Sequence, residues 1–228
     1  MSTRQIEGAL NGLRQDLIVM AGYVEEAIEL STRVWQDRDQ DKISRVFEIE
    51  DKVNQAHKDV DAACFKILAL QQPLAVDLRY ILAVIKINGD LERMVDQAVN
   101  IVHNAEYYLK SPAAFKLDDL IRMAHDVRLM VREAIDAFVK GDERLAEHVL
   151  KADDKVDQFK DEIFRDVQDR VKKDPALVEQ GLNIILIARN LERIGDHATN
   201  IAEDVIFTIS GQDIRHSDKK SGGSGDSH

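Results

Sequence analysis

The chain has 228 residues, 44% of them hydrophobic and 32% charged, enough for one large core or two ordinary ones without disulfide or metal staples. Thirty-one Lys+Arg against 42 Asp+Glu leave a formal net charge of −11, which repels nucleic acid and anionic lipid and argues against direct DNA binding. Cys64 is the single cysteine, which excludes an intramolecular disulfide and a Cys-rich zinc site; with no export signal and no apolar run near ~20 residues, a reducing cytoplasmic setting is expected.

Three prolines and eleven glycines, the glycines gathered mainly toward the two ends, leave few breakers inside long helices, so the expected fold class is all-α. Apolar residues recur at helical spacing through Leu10, Leu13, Leu17, Met20, Val24 and Ile28, and again through Ile81, Ile85, Leu91, Val95, Ala98 and Val102. The spacing predicts six helices near 3–37, 40–70, 74–109, 116–140, 142–171 and 176–210. Asp39 caps the second, Pro73 and Pro175 fit the first turns of the third and sixth, and Gly141-Asp142 ends the fourth and caps the fifth. Ser111-Pro112 separates the halves. Residues 1–111 and 112–212 read as two domains, and 213–228, rich in Ser and Gly, as a disordered tail.

Comparing the halves exposes a repeat. The eleven residues Leu91-Glu92-Arg93-Met94-Val95-Asp96-Gln97-Ala98-Val99-Asn100-Ile101 align with Leu191-Glu192-Arg193-Ile194-Gly195-Asp196-His197-Ala198-Thr199-Asn200-Ile201, identical at seven positions. Upstream, Glu50-Asp51-Lys52-Val53-Asn54 matches Asp153-Asp154-Lys155-Val156-Asp157, and Val24, Glu26, Ala27 and Ile28 match Val131, Glu133, Ala134 and Ile135. One three-helix unit used twice predicts two tandem three-helix bundles.

The third helix of each unit carries a Glu and an Asp four residues apart, Glu92/Asp96 and Glu192/Asp196, which share a helix face about 5–6 Å apart at Cβ. Like charges at this spacing destabilise a helix slightly, so cations or water must offset them. The second helix offers Glu50 with Asn54 and Asp153 with Asp157. Antiparallel packing of second on third helix would gather four oxygen-bearing side chains, a hard-ligand set for Mg²⁺, Mn²⁺ or iron, with His103 or His197 as nitrogen supplements. The alternative is that these acids face water or pair with Arg93, Arg193, Lys52 and Lys155 beside them.

Enzyme signatures are missing: no Gly-rich phosphate loop, no Gly-x-Ser-x-Gly, no His-Glu-x-x-His, and no Glu followed three residues later by His. His57, His125 and His148 read as surface or structural histidines, and Cys64, among Ala62, Ala63, Phe65, Ile67 and Leu68, as a small buried hydrophobe.

On the paired Leu-Glu-Arg-x-x-Asp-x-Ala-x-Asn-Ile segments the chain resembles the PhoU family over residues 4–216. Gln72-Pro73-x-x-x-Asp77-Leu78-Arg79, Asp154-Lys155-Val156-Asp157 and Gly211-Gln212-Asp213-Ile214-Arg215-His216 add to the likeness. The resemblance implies a noncatalytic, cytosolic negative regulator of phosphate uptake that links the Pst phosphate transporter, through its ATPase subunit, to a sensor histidine kinase, and that touches the membrane only through these partners. It also implies metal clusters of iron, zinc, manganese or magnesium on Glu/Asp-x-x-x-Asp motifs: Glu92/Asp96, Glu192/Asp196 and Asp153/Asp157 satisfy the motif, and Glu50/Asn54 departs from it. Because Asn54 offers a carbonyl oxygen but no charge, the first bundle is expected to hold cations less tightly, or to hold a smaller cluster, than the second. Asn100 and Asn200, one turn on, are expected to complete the shell or cap it. A homodimer is expected. Phosphate itself is expected to be sensed by the transporter, and the competing reading is a metal-dependent phosphohydrolase or oxidase using the same carboxylates.

Overall fold

The computed structural model describes residues 3–211, whose regular structure is entirely helical. The helices are α1 (Thr3–Gln36), α2 (Ile43–Gln71), α3 (Ala75–Leu109), α4 (Asp118–Lys140), α5 (Glu143–Lys173) and α6 (Val178–Ser210), with single 3₁₀ turns at Gln40–Lys42 and Pro175–Leu177. Each boundary falls within three residues of its sequence expectation. The proposed tail, 213–228, lies outside the described residues.

The breaks follow local chemistry. Gly141 sits at φ 63°, the left-handed conformation that ends α4, and the Asp142 carboxylate accepts the Leu145 amide at 3.1 Å to start α5. Asp39 accepts from the Asp41 amide at 3.1 Å, capping the 3₁₀ turn that leads into α2 rather than α2 itself. Pro73 departs from expectation: it precedes α3 instead of lying in its first turn. Gln72 (φ 45°) ends α2 in the left-handed region, and Leu74 is extended at ψ 170° and serves as the N-cap of α3. Pro175 does open a helical turn, the 3₁₀ turn before α6.

Helices α1–α3 form one three-helix bundle and α4–α6 a second, joined along α3 and α6 with α1 against α4 behind. Leu17, Val24, Val46, Ile81, Leu91, Val127, Ala134, Leu191 and Ile194 are fully shielded or nearly so, within one continuous core. Each of the Leu, Ile and Val side chains among them contributes about 1.5–3 kcal/mol by leaving water. α3 and α6 run antiparallel: Lys86 Nζ meets Asp204 Oδ1 at 2.6 Å at one end of the seam, and Gln180 Nε2 reaches the Tyr108 carbonyl at 3.4 Å at the other. Behind them Arg128 and Arg132 of α4 pair with Glu29 (2.8 Å) and Glu25 (2.6 Å) of α1, exposed links that set register more than they add stability.

The segment between the bundles is clasped rather than loose. Gln180, 5% exposed, donates to the Pro112 carbonyl at 2.9 Å and accepts the Ala114 amide at 3.2 Å. Arg38 (φ 55°) donates to the carbonyls of Leu109 and Ser111, both at 2.8 Å, and satisfies the open end of α3.

Candidate functional site

Along α3 the buried face of Leu91, Met94, Val95 and Ala98 leaves Glu92 and Asp96 at its rim, and along α6 Leu191, Ile194, Gly195 and Ala198 do the same for Glu192 and Asp196. The facing helices complete the picture. In the second bundle Asp153 Oδ1 lies 3.4 Å from where a Cβ on Gly195 would stand, so α5 lays an acid directly on the α6 backbone. Burial, then the charges of Asp196, Asp157, Asp154 and Glu192, push the Asp153 carboxyl up to about 6. Asp196 is raised by burial and by Glu192 and Asp157, with His197 and Lys160 acting in the opposite direction. The four acids of this cluster therefore feel one another across the α5–α6 groove.

In the first bundle Glu50 is raised by burial, then by Asp96 and Asp51 and to a smaller extent Glu92, while His103 opposes the shift. Burial alone raises Asp96. Glu50, Glu92 and Asp96 thus form the equivalent cluster between α2 and α3, with His103 beside it and Asn54 half-buried one turn beyond Glu50.

The cations sequence reasoning set beside these acids go elsewhere. Lys155 pairs with Asp126 at 2.7 Å, Lys52 lies 5.5 Å from the Tyr23 ring centre, and Arg93 and Arg193 make no ion pair among the described residues. The partner that does arrive is Lys160, one turn beyond Asp157. Its ammonium donates to Asp157 Oδ1 at 2.7 Å and to Glu192 Oε1 at 3.1 Å, joining α5 to α6. Both carboxylates hold it above the usual lysine range.

Two expected contributors belong to another task. His197 Nδ1 is 2.8 Å from Asp90 Oδ1, and Asn200 Nδ2 donates to the same oxygen at 3.3 Å, so both are drawn into the seam with α3 instead of completing the acidic shell. Asn100 is exposed and its side chain makes no hydrogen bond among the described residues; its backbone carbonyl accepts from Asn104 at 2.6 Å. Sequence reasoning missed Lys160, Asp90 and the role of Gly195. A lone glycine in mid-helix, where the repeat carries Val95, was the available signal for close approach at Gly195.

Among the described residues no three acidic, histidine or cysteine side chains stand close enough as they are to hold a metal ion. The donor chemistry still suits one: each cluster is oxygen-rich, carries several negative charges at a rim open to solvent, and the second already binds an ammonium between two helices. A hollow of about 270 Å³ is lined by Phe164, Ile185 and Ala188 together with Lys160 and Glu192.

Comparison with known proteins agrees with this architecture. The family model described as the PhoU domain matches twice, over residues 17–105 and 120–205. A Pseudomonas aeruginosa protein, "Phosphate-specific transport system accessory protein PhoU homolog", is 36% identical over 217 residues, covering 94% of this chain and 89% of the relative. The Escherichia coli "Phosphate-specific transport system accessory protein PhoU" is 32% identical over 215 residues, covering 93% and 88%. The crystal structure of PhoU from Pseudomonas aeruginosa superposes with a TM-score of 0.87 at 35% identity, covering 90% of this chain and 99% of that one. A Streptococcus pneumoniae phosphate transport regulatory protein, 22% identical with a TM-score of 0.85, shares the fold.

Proposed function

The chain belongs to the PhoU family, and from that premise we propose that it is an accessory regulator of a phosphate-specific transport system, acting in the cytoplasm as a noncatalytic adaptor. In this reading it restrains phosphate uptake and phosphate-regulon signalling by engaging the ATPase subunit of the transporter and a sensor histidine kinase. No described helix is long and apolar enough to cross a membrane, and in this reading membrane contact runs through those partners. The observation that carries the adaptor reading is the duplication: an acid pair on the same face of α3 and of α6, each opposed by acids on the preceding helix.

Glu50, Asn54, Glu92 and Asp96 in the first bundle, and Asp153, Asp157, Glu192 and Asp196 in the second, would hold divalent or trivalent metal ions, whose charge would neutralise these faces for docking. Bound there, a metal supplies positive charge and fixes the helices in pairs; the chain's own residues do the rest, with Asp90, His197 and Asn200 keeping the bundles aligned. Repeat-equivalent exposed apolar positions, Leu78 and Leu82 on α3 and Val178 and Leu182 on α6, support self-association as a homodimer.

Co-purification of the full chain with the transporter ATPase and with the kinase, from cells grown in high and in low phosphate, tests this. More of the complex is expected when phosphate is plentiful, and equal recovery in both conditions refutes the regulatory role. Light scattering tests the dimer. One observation favours the rival phosphohydrolase: a carboxyl that titrates at about 6, Asp153, is suited to proton transfer. Turnover of p-nitrophenyl phosphate that disappears in Asp196→Ala would select it.

A further inference from the structure

We propose that Lys160 is a resident counter-ion of the second carboxylate cluster, one that a divalent cation must displace, and that it makes the first cluster the tighter of the two. The inference rests on the metal-binding reading above and concerns which residue sets affinity within it.

The ammonium of Lys160 spans the gap between α5 and α6, taking an oxygen from Asp157 and one from Glu192. A metal seated among Asp153, Asp157, Glu192 and Asp196 would compete for both oxygens and would meet a unit positive charge at hydrogen-bond distance. The side chain is only one-third exposed, so its charge is incompletely screened by water.

Among the described residues the first bundle has no ammonium in the equivalent place; the basic side chain beside its acids is His103, whose Nδ1 lies 3.5 Å from Glu106 rather than bridging two of the cluster's carboxylates. Under the alignment that matches Glu50 with Asp153, Lys160 falls on His57. His57 faces the other way: Nδ1 lies 3.3 Å from the Asn88 carbonyl and Nε2 3.7 Å from Asp61, within a network in which the buried Asn88 amide donates to the His57 carbonyl and to Asp61. Glu50, Glu92 and Asp96 make no ion pair with any described residue. Charge counting on the acids alone ranks the second cluster higher, because Asn54 stands where the repeat has Asp157. Lys160 cancels that extra charge and ties up two of the four donors, which reverses the ranking.

The test is a Mn²⁺ titration of the chelator-stripped full chain, followed by calorimetry and Mn²⁺ spin resonance, with Lys160 acetylation read by mass spectrometry. Two phases are expected, the tight one lost in Asp96→Asn. Lys160→Met keeps the aliphatic stem and should tighten the weak phase about tenfold, whereas Lys160→Arg, which keeps the charge, should leave it weak. Saturating Mn²⁺ should raise Lys160 acetylation several-fold as the ammonium is released. If Mn²⁺ binds but both phases are the same in Lys160→Met, or Lys160 labelling ignores Mn²⁺, the counter-ion role is wrong and the metal reading stands. Absence of Mn²⁺ binding in all the proteins overturns both.

Discussion

Replacing Asp153 by Asn should stabilise the metal-free protein, and by an amount that depends on pH. Asp153 rests against the α6 backbone with four further acids around it, and its carboxyl is shifted from 3.8 to about 6. The folded chain therefore binds this proton more tightly than the unfolded chain, so stability falls as pH rises from about 4 to about 6 and stays lower above that. Two pKa units correspond to about 3 kcal/mol at most, and solvent at the half-buried rim reduces this to about 1–2 kcal/mol. Asn is nearly isosteric and removes the charge. Its gain should amount to a rise of about 3–6 °C in Tm at pH 8 and shrink as pH falls through 6 toward 4, where Asp153 is protonated in the folded chain and partly protonated in the unfolded one. Calorimetry in the presence of a chelator between pH 4 and 8 measures it. Mn²⁺ should invert the comparison: at a hundredfold excess over Kd, a bound ion adds about 2.7 kcal/mol to the wild type, and Asp153→Asn should gain less. A stability difference constant across pH, or one in which Asp153→Asn is less stable at pH 8 without metal, would refute the argument.

Other expectations follow from packing. A Cβ on Gly181 would stand 2.7 Å from Val167 Cγ1 and 3.3 Å from Val171 Cγ2, so Gly181→Ala should cost about 1–3 kcal/mol in urea denaturation. Gly22 has open space around it, and Gly22→Ala should stabilise α1 by about 0.5–1 kcal/mol in the same assay. Gln180→Ala removes the hydrogen bonds to Pro112 and Ala114 that help clasp the segment between the bundles, and the longer one to Tyr108; a loss of about 1–2 kcal/mol is expected, with faster amide exchange confined to residues 111–117. Chelation should lower the Tm of the wild type and leave an Asp96→Asn, Asp196→Asn double variant unchanged, as differential scanning fluorimetry would show.

The helices were legible because periodicity, caps and breakers are local. Asp142 and Gly141 act where their residue types say they must, and the repeat announced both bundles at once. Pro73 was misjudged by two positions because the left-handed Gln72 ends α2 without a glycine to mark it. At the site, the acid pairs were readable from i,i+4 spacing, but their partners were not. Whether Asn200 turns toward Asp196 or toward Asp90 depends on how α3 and α6 cross, and no pattern within α6 encodes that. Lys160 escaped notice for the same reason: three residues from Asp157 it is an ordinary helical charge, and only the approach of Glu192 gives it a second partner.

The antiparallel seam of α3 and α6 brings repeat-equivalent positions to opposite ends of one contact, yet those ends are not alike. Asp90 meets His197 and Asn200 at one end; their counterparts are Asn190, whose amide turns back to the Leu186 carbonyl at 2.8 Å, Gln97, whose buried Oε1 has no hydrogen bond among the described residues, and the exposed Asn100. Two copies of either half alone would have to place Asp90 against Gln97 twice, or Asn190 against His197 twice. In a single chain each side of the joint can change without its mirror image changing too, and here the two sides carry different residues with different partners.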